Sequence, residues 1–313
     1  MFITNKQCSK HVWITHLAVL IVYPYFHEKK IMIAYLGTGL LGGNFVRAFL
    51  RNGKQVQVWN RTAAKAKELE QYGAKVFDTI AEAVTGADTI HLTLKDDASV
   101  DEVLGTALPG LKPGAIIIDH TTTSAEGARR RTDGWKEGGF SYVHAPVFMG
   151  PANALESTGF MLVSGDQDLI QQVTSELEQM TGKLLNFGPE VGKAAAMKLI
   201  GNCFLVGFTA GLADSLTLAS SMDISSADVA GLFENWNPAS MLLPRLQRMT
   251  AGKYNKPSWE LSMARKDTGL FIQAAEQAGR KLAVMPAIAT EMDRWIAEGH
   301  GNDDWTVLGK NSL

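Results

Sequence analysis

IMIAYLGTGLLG, residues 31–42, joins an apolar run to Gly37-x-Gly39-x-x-Gly42. The run reads as a buried strand, and the glycines as the turn that carries it into a helix. Gly37 permits the tight turn, and Gly39 lets the backbone approach a pyrophosphate with no Cβ in the way. Gly42 lets the helix pack closely on the strand. The unpaired N–H groups of that helix then face an anion. Thr38, Leu40 and Leu41 complete the cradle.

The next apolar run, 55–59, ends at Asn60-Arg61-Thr62. A carboxylate there would bind a ribose 2′-hydroxyl and repel a 2′-phosphate. A neutral amide, a guanidinium and a hydroxyl suit the phosphate, so NADP (NADPH) is expected over NAD. Further strands are expected at 75–77, 89–94, 115–119, 142–144, 160–163 and 184–187, with helical spacing at 63–72 and 124–136 between them. Strands alternating with helices imply crossover units and a mostly parallel sheet. After Gly192 the pattern changes. Residues 194–219 read as one long buried helix, and the rest is helical, punctuated by Pro238, Pro244, Pro257 and Pro286. The expected fold is an α/β Rossmann-type dinucleotide-binding domain (30–190) followed by an all-α C-terminal domain (191–313) for substrate binding and dimerisation.

The chain has 313 residues and a formal net charge of −2. It has no long basic run, which argues against nucleic acid as a partner. Cys8 and Cys203 lack metal spacing, no metal site is expected, and Cys203 reads as a buried small hydrophobe. Residues 1–29 read as an N-terminal extension, or as sequence upstream of a start at Met32. The alternative is an export or membrane signal, since Lys6, Lys10 and His11 precede an apolar stretch; His16 and Pro24 interrupt that stretch. A cytoplasmic protein without a membrane partner is expected.

Lys198 and Asn202 stand at i, i+4 on the apolar helix and therefore share a face. A desolvated lysine has a lowered pKa and can exchange protons near neutrality. A snorkelling surface lysine is the plainer alternative.

Four motifs resemble the β-hydroxyacid dehydrogenase family, which includes 3-hydroxyisobutyrate dehydrogenases, tartronate semialdehyde reductases and glyoxylate/succinic semialdehyde reductases. They are the glycine fingerprint with VWNRT at 58–62, DHTTTS at 119–124, GPEVGKAAAMKLIGN at 188–202, and Arg265-Lys266-Asp267. The resemblance spans residue 31 to about residue 308. It implies that Lys198 protonates the carbonyl oxygen as hydride arrives, with Asn202 orienting the lysine or holding substrate. It also implies that Thr121 binds substrate and that Thr122 lies by the nicotinamide ribose. Lys266 would reach cofactor or substrate, and Leu94 and Lys95 would border the cofactor. Relatives usually pair through the helical domain, so a homo-oligomer is expected, dimer or tetramer.

One stretch departs from the family. Where its members carry a serine and paired glycines for a substrate carboxylate, this chain has Phe148, Met149 and Gly150, with Asn153 as a candidate polar contact. A small-molecule carbonyl substrate is expected, less anionic or more apolar near the reacting carbon. In the alternative, Phe148 and Met149 are wall residues, and Thr121 and Asn153 bind the carboxylate. An NADPH-dependent reductase of a small aldehyde or keto acid is the leading expectation. An imine reductase-like enzyme and a non-catalytic dinucleotide-binding interaction module are the alternatives, and Lys198 counts against both.

Overall fold

The computed structural model describes residues 31–312, so the expectations for residues 1–29 lie outside it. Six strands form one sheet: β1 (Met32–Leu36), β2 (Gln55–Trp59), β3 (Lys75–Val76), β4 (Thr89–Leu92), β5 (Ile116–Asp119) and β6 (Ser141–His144). Their order is β3-β2-β1-β4-β5-β6 and every pairing is parallel. The connections run through α1 (Leu40–Arg51), α2 (Ala63–Lys67), α3 (Ile80–Val84), α4 (Asp97–Ala107) and α5 (Ala125–Glu137). The expected helix at 63–72 is thus shorter, and a separate single turn at Glu70–Tyr72 follows it.

Successive β1 residues serve opposite faces. Ile33 and Tyr35 pack with Phe45, Val46 and Phe49 of α1. Ala34 and Leu36 pack with Ile80 and Val84 of α3 and Val100 and Leu104 of α4. Both faces are covered, which is why the strand is apolar without alternation. Strand order reverses between β1 and β4, and this opens a crevice at their C-terminal ends.

The runs at 160–163 and 184–187 do not extend this sheet. β7 (Val147–Phe148), β8 (Phe160–Val163) and β9 (Lys183–Asn186) make a second, small one, with β7 antiparallel and β9 parallel to β8. Pro146 has no N–H to offer, and its carbonyl accepts from Leu162 N instead. There the chain leaves the first sheet. α6 (Pro151–Glu156) and α7 (Gln167–Glu178) connect these strands.

The remainder is helical: α8 (Lys193–Ser221), α9 (Ser226–Asn235), α10 (Leu242–Ala251), α11 (Leu261–Gln277) and α12 (Met285–Trp295). Leu261, Ala264, Met292, Trp295 and Val307 form its core. Buried Asp214 of α8 accepts the backbone N–H groups of Ala283, Val284 and Met285 at 2.6, 2.9 and 3.1 Å, tying α8 to the entry of α12.

The expectation of a buried helix at 194–219 needs correction. Only Ala194, Ala195, Lys198, Asp214 and Ala219 of α8 are buried. Leu199, Ile200, Phe204, Leu205, Val206, Phe208, Leu212 and Leu216 are exposed, and so is Cys203, which is not the buried hydrophobe expected. The helix is apolar all round, but its own chain covers one side only. Among the described residues it is also the one helix long and apolar enough to cross a membrane, by length and composition.

Candidate active site

The crevice between β1 and β4 is a cleft of about 620 Å³. Gly37, Gly39, Leu40, Leu41, Gly42, Asn60, Arg61, Thr62, Leu94 and Lys95 line it, as the sequence led us to expect. Gly37 has φ +94°, and a Cβ there would press into the Thr93 backbone. A Cβ on Gly39 would meet nothing within 4 Å, so that position faces open space where a pyrophosphate can approach. Gly39 caps α1 without a side chain, leaving first-turn N–H groups free for an anion. The buried Thr38 hydroxyl has no partner among the described residues. Residues and space therefore fit a dinucleotide.

Asn60 acts differently from the expectation. Its Oδ1 accepts from Thr38 N at 2.9 Å and its Nδ2 donates to the Thr62 carbonyl at 2.9 Å. It fixes the glycine loop against the end of β2, where Arg61 and Thr62 are joined in the cleft lining by a basic residue the sequence reading missed. That residue is Lys65, which lines the cleft from the first turn of α2. A lysine four residues beyond Arg61 was the available signal.

Thr121 is clamped. Its N–H donates to Asp119 at 2.8 Å, its hydroxyl accepts from Leu94 N at 2.9 Å, and its carbonyl accepts from His144 Nε2 at 2.9 Å. It is 1% exposed. These bonds hold it in the cleft wall, with its own hydroxyl proton still free to donate; its neighbour Thr122 is the exposed member of the pair. Beneath it Asp119 accepts the Tyr142 hydroxyl at 2.7 Å, and Arg131 donates to Tyr142, Asp97 and Asp101.

Asn153 is also committed elsewhere. Its Oδ1 accepts from Gly150 N at 2.9 Å and its Nδ2 donates to Thr158 at 3.0 Å, which shapes the start of α6. Gly150 is the N-cap of α6, and Met149 packs against the core. Lys266 is exposed on α11 and pairs with Asp267 at 2.9 Å. It does not line the cleft, so within one chain the expected reach to the cofactor is not made.

Lys198 is the buried lysine the sequence suggested, 8% exposed. Its Nζ donates to Asn202 Oδ1 at 3.0 Å and lies 4.2 Å from the centre of the Phe148 ring. Burial alone lowers its pKa. Lys198 is not itself a lining residue of the cleft. Thr121, bonded to Leu94 of the cleft, comes shortly before α5 in the chain, and α5 packs on α8, the helix that carries Lys198.

Residues 32–188 match the NAD-binding domain of 6-phosphogluconate dehydrogenase, and residues 190–311 match the C-terminal domain of the NADPH-dependent reductive aminase-like type. The chain belongs to this two-domain oxidoreductase family of 3-hydroxyisobutyrate dehydrogenase-like and imine reductase proteins. An uncharacterized oxidoreductase of Shewanella frigidimarina (strain NCIMB 400) is 30% identical over 278 residues, 85% of this chain and 91% of that one. The cytokine-like nuclear factor N-PAC of Homo sapiens is 32% identical over 285 residues, 90% of this chain but 51% of that protein. The chain thus spans about half the length of N-PAC. A reductive aminase from Aspergillus terreus, solved with NADPH, cyclohexanone and allyl amine, superposes with a TM-score of 0.81 at 25% identity, covering 89% of this chain and 98% of that one. The chain carries this family's NAD(P)-binding domain, and its cation set at the end of β2 is of the NADP type.

Proposed function

We propose that the protein reduces a small carbonyl compound with NADPH, and that the substrate carries no carboxylate beside the reacting carbon. The observation that carries this reading is Lys198, a buried ammonium held by an amide and a ring, with no carboxylate partner among the described residues. Bound NADPH supplies the hydride. Lys198 gives its proton to the carbonyl oxygen, and desolvation makes that proton easier to release. Asn202 Oδ1 keeps the ammonium aimed. Phe148 removes the hydroxyl that would receive a carboxylate and puts an apolar ring in its place.

Imine reduction is the second reading, favoured by the likeness to the Aspergillus terreus reductive aminase. Charge argues against it, because an iminium is a cation and would be repelled by a protonated Lys198. A non-catalytic module is the third reading, suggested by the similarity to N-PAC; a buried, unpaired lysine is costly to keep without a use. NADPH oxidation against glyoxylate, succinic semialdehyde, tartronate semialdehyde, butanal, an apolar ketone and a cyclic imine separates the three. Turnover of butanal or the ketone is the expected result. Turnover of the imine alone would move the assignment to C=N, and no turnover at all would favour the module.

We further propose a homodimer through the exposed face of α8, in the cytoplasm. Its exposed apolar residues run from Leu199 to Leu216. Two copies crossing antiparallel near residue 207 would set residue 198 of one copy beside residues 214–218 of the other. Those residues border an apolar cavity of about 500 Å³ that also includes Met222, Phe233 and Trp236. A second copy would thus complete an apolar substrate pocket. Lipid fits less well, because α5, β8, α9 and α11 pack against the other side of the helix. Sedimentation of the purified protein without detergent tests the dimer, and cell fractionation tests the location.

A further inference from the structure

Phe148 does more than fill space. Its ring face lies 4.2 Å from Lys198 Nζ. Its edge rests on α8 at Gly201, where a Cβ would overlap the ring. Gly201 sits mid-helix, where glycine is unfavourable by about 1 kcal/mol relative to alanine. The seat for Phe148 gives that glycine a reason. β7 holds the Phe148 backbone against Phe160 of β8, so the ring is fixed from the other side too.

Several charged groups on α8 and on the elements packed against it are engaged elsewhere. On α8 and its entry, Lys193 pairs with Glu190, and Asp214 accepts the three backbone N–H groups before α12. On α5, Arg129 donates to the Val191 carbonyl. On α11, Arg265 pairs with Asp293 and Lys266 with Asp267. α9 contributes Asp228, bonded to Ser225 at the far end of α8. β7 and β8 carry no charged residue. The ammonium is left with the Asn202 amide and the negative face of an aromatic ring.

We propose that Phe148, seated at Gly201, is the positioning residue that keeps Lys198 protonated in a dry site, with its quadrupole standing in for a carboxylate counter-charge. This rests on Lys198 being the proton donor of the proposed reaction. A carboxylate would hold the proton too tightly, and bare apolar walls would expel it. A ring face stabilises the ammonium by an intermediate amount, which leaves the proton present yet transferable.

The test reads Lys198 directly and needs no substrate. The full-length protein is labelled with a limiting amine-reactive reagent across a pH series, and modification of Lys198 is followed by peptide mass spectrometry. Phe148→Leu keeps the site apolar and removes the quadrupole. Its Lys198 titration is expected to fall by about 0.5 to 1.5 pH units, the worth of a desolvated cation–π contact. Gly201→Ala displaces the ring from its seat and is expected to move the titration the same way. Phe148→Tyr keeps a ring face and is expected to leave it in place. An unchanged or raised titration in Phe148→Leu, in a protein that still melts cooperatively, would overturn the proposal and leave the ring a mere wall. If the titration moves as expected but no carbonyl compound is reduced, the reaction assignment fails and this contact stands.

Discussion

Arg131 and Lys198 are both buried cations, in opposite company. Arg131 lies under the main sheet, 4% exposed, and donates to Tyr142, Asp97 and Asp101. Lys198 has one amide and one ring. A cation whose donors are all matched contributes to structure and has no proton to lend. A buried cation without an anion is ready to lose its proton, and this is what a general acid requires. The first half of the molecule has its buried charge matched within the chain. Among the described residues, the second half leaves Lys198 without an anion and one face of α8 uncovered.

Two substitutions put that contrast to its hardest test. Lys198→Met should lower kcat by about 10³-fold, within the usual range for a lost general acid. NADPH affinity, read by fluorescence titration, should barely change. Its melting temperature should hold or rise, since an apolar chain replaces an uncompensated charge. Arg131→Met should do the reverse, destabilising by about 3–5 kcal/mol because two carboxylates and a phenol lose their partner. Denaturant melts of both variants check the pair. If Lys198→Met destabilised as much as Arg131→Met, the lysine would be a structural group.

A second line of matched polarity runs through the sheet. Glu176 Oε1 lies 2.5 Å from His91 Nε2, His91 Nδ1 lies 2.9 Å from His120 Nε2, and His120 Nδ1 lies 2.9 Å from the Ala145 carbonyl. A carbonyl only accepts, so His120 carries its proton on Nδ1 and takes one from His91. Burial, with His91 beside it, pushes the His120 pKa down to about 3. The unfolded chain therefore binds a proton there that the folded chain refuses, and stability falls as pH drops from about 6.5 towards 3. At pH 3 this site alone should weaken folding by about 4 kcal/mol. His120→Gln, which cannot titrate, should flatten that part of the pH–stability curve. An unchanged slope would place the acid sensitivity elsewhere.

The uncovered face gives a smaller effect with a plain readout. Phe208→Glu places a charge in the middle of the exposed α8 stripe. A dimer built there should weaken by at least about a hundredfold, on the order of 3 kcal/mol for a buried unpaired charge. Sedimentation velocity at micromolar protein should then show a single-chain species. If the unmodified protein sedimented as one chain, the second-copy proposal would fall.

The sequence read the first half better than the second for a physical reason. A strand buried on both faces and a glycine turn leave local signatures, so 31–42 yielded the cradle, and residue 60 yielded a neutral end to β2. Hydrogen-bond partners leave none. Asn60, Thr121 and Asn153 read as ligand contacts because they are polar and suitably placed, and the backbone N–H that each side chain accepts was not visible in the sequence. Lys198 and Asn202 were legible as a pair because i, i+4 spacing puts them on one helix face. The exposure of α8 was not legible, since an apolar helix looks the same whether its own chain or another molecule covers it. Gly201 went unnoticed because its partner, Phe148, is over fifty residues away.

The cofactor pocket offers the finest discrimination. Arg61 and Lys65 line the cleft beside the end of β2, while Asn60 is bound up with the glycine loop. If the two cations share the 2′-phosphate, losing either should be partial. Arg61→Ala should weaken NADPH about tenfold and leave NADH nearly unchanged, as expected for one exposed charge-assisted contact. Lys65→Ala should do the same by a smaller factor, since an ammonium grips phosphate at a point and a guanidinium with a fork. The double variant should bring the two cofactors close to parity, measured as the ratio of dissociation constants by fluorescence titration. Asn60→Asp separates positioning from recognition. A carboxylate can still accept from Thr38 N and hold the loop, but its charge opposes the phosphate, so NADPH should weaken while NADH does not. Equal weakening of both cofactors would show that Asn60 acts through the loop alone.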